Sequence, residues 1–233
     1  IDHRVFVAAV ESPSLESLGV SRGLEIVSID GTPVAAFVAR ERAPYVSSNS
    51  PQHTEVLQYT YGLLTGDRQQ PVTVRLRRPT GADFTLRLDR SGYADVTSLP
   101  AMEFRQLPGH LAYLAINSFG DPAIEQPLLA AWPTILASDG LILDVRQNDG
   151  GSGLIAYAIL GYLSPVPIAL PQWKSRQYVP TLRAWGTPGS WYTADKQTSP
   201  GQPSDYYGKP VVLLTGPRSL SATDVFAETF RMM

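Results

Sequence analysis

The sequence predicts an α/β protein, a mixed, mainly parallel sheet with helices, preceded by a small β-rich domain. Three observations carry this. Val72, Val74 and Leu76, and then Phe84, Leu86 and Leu88, alternate at period two around Pro79-Thr80-Gly81, the pattern of a half-buried hairpin. Between Leu111 and Arg146 the chain reads strand, helix, strand, and a connection of that length joins parallel neighbours. The run Val211-Val212-Leu213-Leu214 reads as a fully buried strand, and it leads through Gly216 and Pro217 into an amphipathic helix.

Composition narrows the function classes. With 43% hydrophobic and 17% charged residues, the 233-residue chain can bury a core. A net charge of −2 gives no electrostatic case for nucleic acid, so no nucleic-acid partner is expected. No apolar stretch reaches membrane-spanning length. The chain has no cysteine, which removes disulfides, thiolate metal sites and a cysteine nucleophile. The three histidines (His3, His53 and His110) are scattered without metal-binding spacing, so neither a metal nor another cofactor is expected.

In chain order, residues 2–10 read as a strand, and Ser12-Pro13 opens a short helix that Gly19 ends. Leu24 to Ile29 is a strand with Ile26 and Ile29 inward, and Asp30-Gly31 is a hairpin-type turn into a strand or helix at Val34. Ser50-Pro51 caps a helix over about 52–64, with His53 a solvated residue on its first turn. Residues 1–92 form the first domain, 93–103 a linker, and 104–233 the second domain. Strands at Leu111–Ile116 and Gly140–Arg146 flank a helix over 122–137. Residues 164–209, rich in Pro and aromatics, make a long excursion of the kind that often covers a site.

Two joints carry candidate chemistry. Gln147-Asn148-Asp149-Gly150-Gly151 stands between a buried strand and a helix, where backbone N–H groups can face an anion or a developing oxyanion. Ser221 stands on the next strand-to-helix turn, a common place for a hydrolase nucleophile. Ser221-Ala-Thr-Asp224 equally fits a capping box, and Ser219 is a second candidate hydroxyl.

Ser12-Pro13, Leu18-Gly19-Val20, Gly23-Leu-Glu-Ile26 and Ile29-Asp30-Gly31-Thr-Pro-Val34 resemble the core of a bacterial-type PDZ domain. That resemblance implies peptide binding near Leu18, Gly19 and Val20. A non-binding PDZ spacer is the alternative. Further on, Leu141-Ile-Leu-Asp-Val-Arg-Gln-Asn-Asp-Gly-Gly151 and Ser219-Leu-Ser-Ala-Thr-Asp224 resemble the tail-specific (C-terminal processing) and tricorn-like serine peptidases, with a ClpP/crotonase-like core. Asp224 stands where that family usually has Glu. The resemblance implies Ser221 as nucleophile, an oxyanion hole from the N–H groups of Ala222 and of the Gly150-Gly151 turn, and protein or peptide substrates. Asp144 and Arg146 would organise the loop. The family's activity and the cysteine-free composition together give an extracytoplasmic expectation, periplasmic or secreted. Oligomeric state is not legible in the sequence.

The resemblance also implies a base that takes the serine proton. It is a lysine beyond the serine in one branch, and a histidine ahead of the PDZ-like part with a later glutamate in the other. The chain starts at Ile1 and stops at Met233, soon after Ser221. It is expected to be a fragment lacking that base, and so without robust activity. His3 and His110 are minor candidates for the role, and Lys174, Lys196 and Lys209 are expected to be solvated. Two rivals remain. One is a non-catalytic peptide- or ligand-binding member of the same fold. The other is a crotonase-like acyl-CoA enzyme, against which the PDZ-like segment argues.

Overall fold

A computed structural model of the chain describes residues 4–10, 12–90 and 99–233. The chain divides into two compact units, Ile1–Ser98 and Leu99–Met233. His3 and residues 93–98 of the expected linker lie outside the described residues.

The first unit is built on an antiparallel sheet. Its strands are β1 (Val5–Phe6), β2 (Glu25–Ile29), β3 (Thr32–Pro33), β4 (Val72–Arg77) and β5 (Asp83–Leu88), in the order β1-β2-β4-β5 with β3 beside β2. Asp30 and Gly31 both have positive φ, 46° and 75°, as a tight two-residue hairpin turn requires. The alternation expected for β4 is met, with Val72, Val74 and Leu76 buried and Thr73 and Arg75 exposed. Helix α1 (Pro13–Ser17) ends at Gly19, which has φ of +83°. Helix α2 (Val34–Glu41) settles the choice left open at Val34 and buries Val34, Phe37 and Val38. Helix α3 (Pro51–Val56), capped by the Ser50 hydroxyl, widens into a π turn over Leu57–Tyr61 instead of continuing as α-helix. His53 is half-buried, its Nδ1 2.8 Å from Ser48 Oγ, and so is not the solvated residue expected.

The second unit holds the sheet that positions the site. Strand β6 (Met102–Leu107) pairs antiparallel with β7 (Leu111–Ile116). A 3₁₀ turn at Pro122–Ile124 and helix α4 (Glu125–Ala137) then lead to β8 (Gly140–Asp144), parallel to β7. Helix α5 (Gly153–Gly161) follows. The excursion after it carries β9 (Ile168–Ala169), β10 (Lys174–Gln177), α6 (Pro180–Ala184), β11 (Ser190–Thr193) and β12 (Thr198–Ser199). Strand β13 (Val211–Leu214) returns parallel to β8, and α7 (Ala222–Met232) closes the described chain. The order β13-β8-β7-β6, parallel except at β6, is the mixed, mainly parallel sheet expected.

Two expectations for this unit need correction. β13 is an edge strand of its sheet, with Val212 57% exposed, and is not buried on both faces. Met102 and Glu103, assigned to the linker, already belong to β6. The core is apolar side chains of β7, β8, α4, α5 and α7, including Leu114, Ile135, Leu143, Leu160 and Phe226. Because β7, β8 and β13 run parallel, their C-terminal ends (Ile116, Asp144 and Leu214) share one edge, and the loops that leave them meet there.

Candidate active site

Ser221 sits where β13 hands over to α7. Gly216 starts the turn, the N–H of Ser219 bonds the Gly216 carbonyl at 2.9 Å, and α7 begins at Ala222 with Ser221 as its N-cap. Ser221 has φ of 59° and ψ of −119°, a region that non-glycine residues rarely occupy and that costs energy to hold. The Asp224 carboxylate accepts the Ser221 N–H at 3.1 Å, and the two residues form the expected capping box. The Asp224 N–H also donates to the Ser221 carbonyl at 3.0 Å. Ser221 is solvent-exposed. Asp224, in place of the usual Glu, is thus long enough to cap.

The glycine turn lies against this serine. Gly150 and Gly151 have φ of 109° and 129°. A Cβ on Gly150 would stand 2.8 Å from the Leu220 carbonyl oxygen, 2.9 Å from Ser221 Cβ and 3.2 Å from the Ala222 nitrogen. A Cβ on Gly151 would run into the backbone of Phe119 and Gly120. The second approach reflects a bridge between Phe119 and Gly151, in which Phe119 N–H donates to the Gly150 carbonyl and Ser152 N–H to the Phe119 carbonyl, each at 2.9 Å. Only glycine meets both the dihedrals and the clearance. The structure therefore places Gly150, Gly151, Ser221 and Ala222 together, from loops about seventy residues apart in sequence.

The four do not have equal chemical roles. The Gly150 N–H is spent on Asn148 Oδ1 at 2.9 Å. Among the described residues, no acceptor holds the N–H of Gly151 or Ala222. Ala222 is the first residue of α7, and a first-turn amide has no partner within its helix.

Three side chains strap the two loops together. Ser219 Oγ donates to the Val145 carbonyl at 2.8 Å and accepts the Gly216 N–H at 3.0 Å. The Ser219 hydroxyl is thus committed on both sides. Arg218 donates to Gln147 Oε1 at 2.9 Å. Thr223 Oγ1 donates to Asn148 Oδ1 at 2.8 Å, and both residues are fully buried.

Asp144, at the end of β8, anchors the start of the glycine loop. Burial alone would raise its pKa. Bonds from the Arg146 side chain and N–H and from the Tyr113 hydroxyl at 2.7 Å outweigh this and hold it at about 2. The same pairing raises Arg146. Asp144 and Arg146 organise the loop's entry, as expected.

The remaining candidates lie elsewhere. His110 is in the β6–β7 turn, at the opposite end of the parallel strands from Ser221, roughly 15 Å along a five-residue strand. Lys209 bonds the Ser138 carbonyl at that same far end. Lys174 lies over the Trp191 ring. Among the described residues of this unit no histidine or lysine bonds Ser221, and no group of metal-ligating side chains is found among the described residues of the chain.

In the first unit, the N–H groups of Leu18, Gly19 and Val20 all turn back onto carbonyls of α1, those of Ser14, Leu15 and Glu16. Leu18 is 53% exposed. Val20 alone of the three lines an apolar cavity of about 390 Å³ with Val7, Val10, Leu15, Ile26 and Leu64. No helix among the described residues is long and apolar enough to cross a membrane.

Comparison with known proteins bears on the fold and the family. In solved structures the chain is similar to mature CPAF complexed with lactacystin (TM-score 0.64, 14% identity, covering 92% of this chain and 62% of that one). It is also similar to mature CPAF itself (TM-score 0.64, 15% identity, 91% and 62%). The photosystem II D1 C-terminal processing protease matches at TM-score 0.44 and 21% identity, over 94% of this chain and 51% of that one. The chain thus spans about three fifths of the length of the CPAF structures. No curated protein sequence matches it. The family model for peptidase family S41 matches residues 110–233, which hold both site loops, and the chain belongs to peptidase family S41.

Proposed function

We propose that Ser221 is the nucleophile of a serine peptidase and that the N–H groups of Gly151 and Ala222 form its oxyanion hole. One observation carries this: an exposed serine, held at strained dihedrals, packs against a glycine turn that leaves those two amides without acceptors. In the reaction, Ser221 Oγ attacks the carbonyl carbon of a peptide bond and yields its proton to a base. The carbonyl electron pair moves onto oxygen, where the two amides stabilise it. Preorganised donors of this kind are worth about 3 kcal/mol each in the transition state. Collapse breaks the C–N bond, the amine leaves with a proton, and water hydrolyses the resulting ester of Ser221.

The reaction also needs a base. A serine hydroxyl is a weak nucleophile until a neighbour takes its proton. No described histidine or lysine of the second unit is placed to do so. The 233-residue chain alone is therefore expected to cleave peptides poorly, while the protein at the full length at which it is made is active. The PDZ-like first unit is proposed to hold substrate peptide. Its support is the apolar cavity beside Val20; the Leu18–Val20 amides, already bonded within α1, do not provide a carboxylate cradle. Peptide hydrolysis by full-length protein, abolished by Ser221→Ala, supports the assignment. Robust hydrolysis by the 233-residue chain, lost in Ser221→Ala, would overturn the claim of a missing base. Full activity of full-length Ser221→Ala would overturn the nucleophile and favour the binding-module alternative.

A further inference from the structure

The glycine turn and the start of α7 share one buried side chain. Asn148 is fully buried, and its Oδ1 accepts two bonds, from Gly150 N–H at 2.9 Å and from Thr223 Oγ1 at 2.8 Å. Its orientation is fixed by chemistry. Rotating the amide would set Nδ2 against the Gly150 N–H, donor against donor, and leave that amide unmatched. In the orientation kept, Nδ2 meets no acceptor among the described residues. A buried amide donor without a protein partner is costly and calls for a reason. What Oδ1 does supplies one.

We propose that Asn148 is the positioning residue of the oxyanion site, clamping the Gly150–Gly151 turn to the first turn of α7 through Thr223. The inference rests on the assignment of Ser221 and its oxyanion hole. The clamp does two things at once. It withdraws the Gly150 N–H from the site, so that the turn presents Gly151 N–H and not its neighbour. It also fixes the distance between that amide and Ala222 N–H, because Thr223 directly follows Ala222 and Gly151 directly follows Gly150. Two donors from separate loops can stabilise one oxygen only if their spacing is held before the charge develops. Ser219 and Arg218 strap the loops at Val145 and Gln147, further along the chain from the glycine pair than Asn148. Asn148 does so beside the donors themselves.

The test has two readouts, the first on the 233-residue chain and the second on the protein at the full length at which it is made. The first is amide hydrogen exchange by NMR. Asn148→Ala is expected to speed exchange at Gly150 by about tenfold or more, while Leu143 in the adjoining β8 strand keeps its rate. An unchanged Gly150 rate, or an equal rise at Leu143, overturns the clamp. The second is binding of a peptidyl boronic acid, whose tetrahedral boron on Ser221 is read by ¹¹B NMR. Asn148→Ala and Thr223→Val are each expected to weaken that adduct about tenfold or more, with Thr223→Ser within about twofold of the original chain. Thr223→Val binding as tightly as Thr223→Ser overturns the proposal even if Asn148→Ala does not fold. Absence of any tetrahedral adduct in the unsubstituted full-length protein would count against Ser221, while the exchange readout still decides the role of Asn148.

Discussion

Replacing Ser221 by glycine should make the second unit more stable than replacing it by alanine. Ser221 has φ of 59° and ψ of −119°. A side-chain-bearing residue held in such a region costs about 1–3 kcal/mol, and it persists only because the surroundings impose it. Here the surroundings are the Asp224 carboxylate on its N–H, the helix that starts at the next residue, and Gly150 packed against its Cβ. Alanine keeps the Cβ and so keeps the strain. Glycine removes both the Cβ and the strain, but loses about 0.5–1 kcal/mol to the greater freedom of its unfolded chain. The difference comes to about 0–2.5 kcal/mol in favour of Ser221→Gly. In a unit of this size that corresponds to about 0–10 °C in melting temperature. Urea or thermal denaturation of the two variants, followed by tryptophan fluorescence, measures it. A glycine variant less stable than the alanine variant would show that the backbone at Ser221 is relaxed, and the claim of a strained nucleophile turn would fall.

Other perturbations separate the parts of the site. Gly150→Ala puts a methyl group 2.8 Å from the Leu220 carbonyl oxygen at a φ of 109°. Crowding and strain together should cost about 2–4 kcal/mol in a urea melt and suppress reaction at Ser221, and an unchanged midpoint would refute the close packing of the two loops. Ser219→Ala should cost about 1–2 kcal/mol, since the Gly216 N–H loses its partner and the Val145 carbonyl keeps only the Asn148 N–H, yet leave Ser221 reactive. Loss of all reactivity with unchanged stability would reinstate Ser219 as the nucleophile. Asp144 links stability to pH. Its pKa is depressed from 3.8 to about 2, so its contribution is fully present above about pH 4 and is lost as pH falls towards 2. Allowing for the half-exposed Arg146 guanidinium, that contribution is about 1–2 kcal/mol. Urea midpoints between pH 2 and 6 should therefore fall on acidification less in Asp144→Asn than in the original chain, and parallel curves would contradict the assignment.

Much of the site was legible because its signals are local. An apolar strand followed by Gly-Gly, and another followed by a serine that opens a helix, identify Gly150, Gly151 and Ser221 one by one. Their meeting was not local. It depends on β8 and β13 being parallel neighbours, which neither stretch states by itself. The edge position of β13 is not legible for a related reason, since four apolar residues look the same at a sheet's edge as at its centre. β6 escaped because Glu103, Arg105 and Gln106 give it the polarity of a linker, although it pairs with β7 along its whole length. Asn148 was visible as a residue of the glycine-loop motif, but spacing does not show which loop side chain turns inward. That Oδ1 binds both Gly150 and Thr223 is known only from their convergence. The Leu18–Val20 segment shows the converse. The motif is present, but its amides serve to end a helix.

The central claim is that Ser221 is the activated nucleophile. The protein at the full length at which it is made should be treated with a fluorophosphonate probe, digested, and mapped by mass spectrometry. A single adduct on the peptide containing Ser221, absent from Ser221→Ala, is the predicted result. An adduct on another residue, or none on protein that hydrolyses peptides, would contradict it.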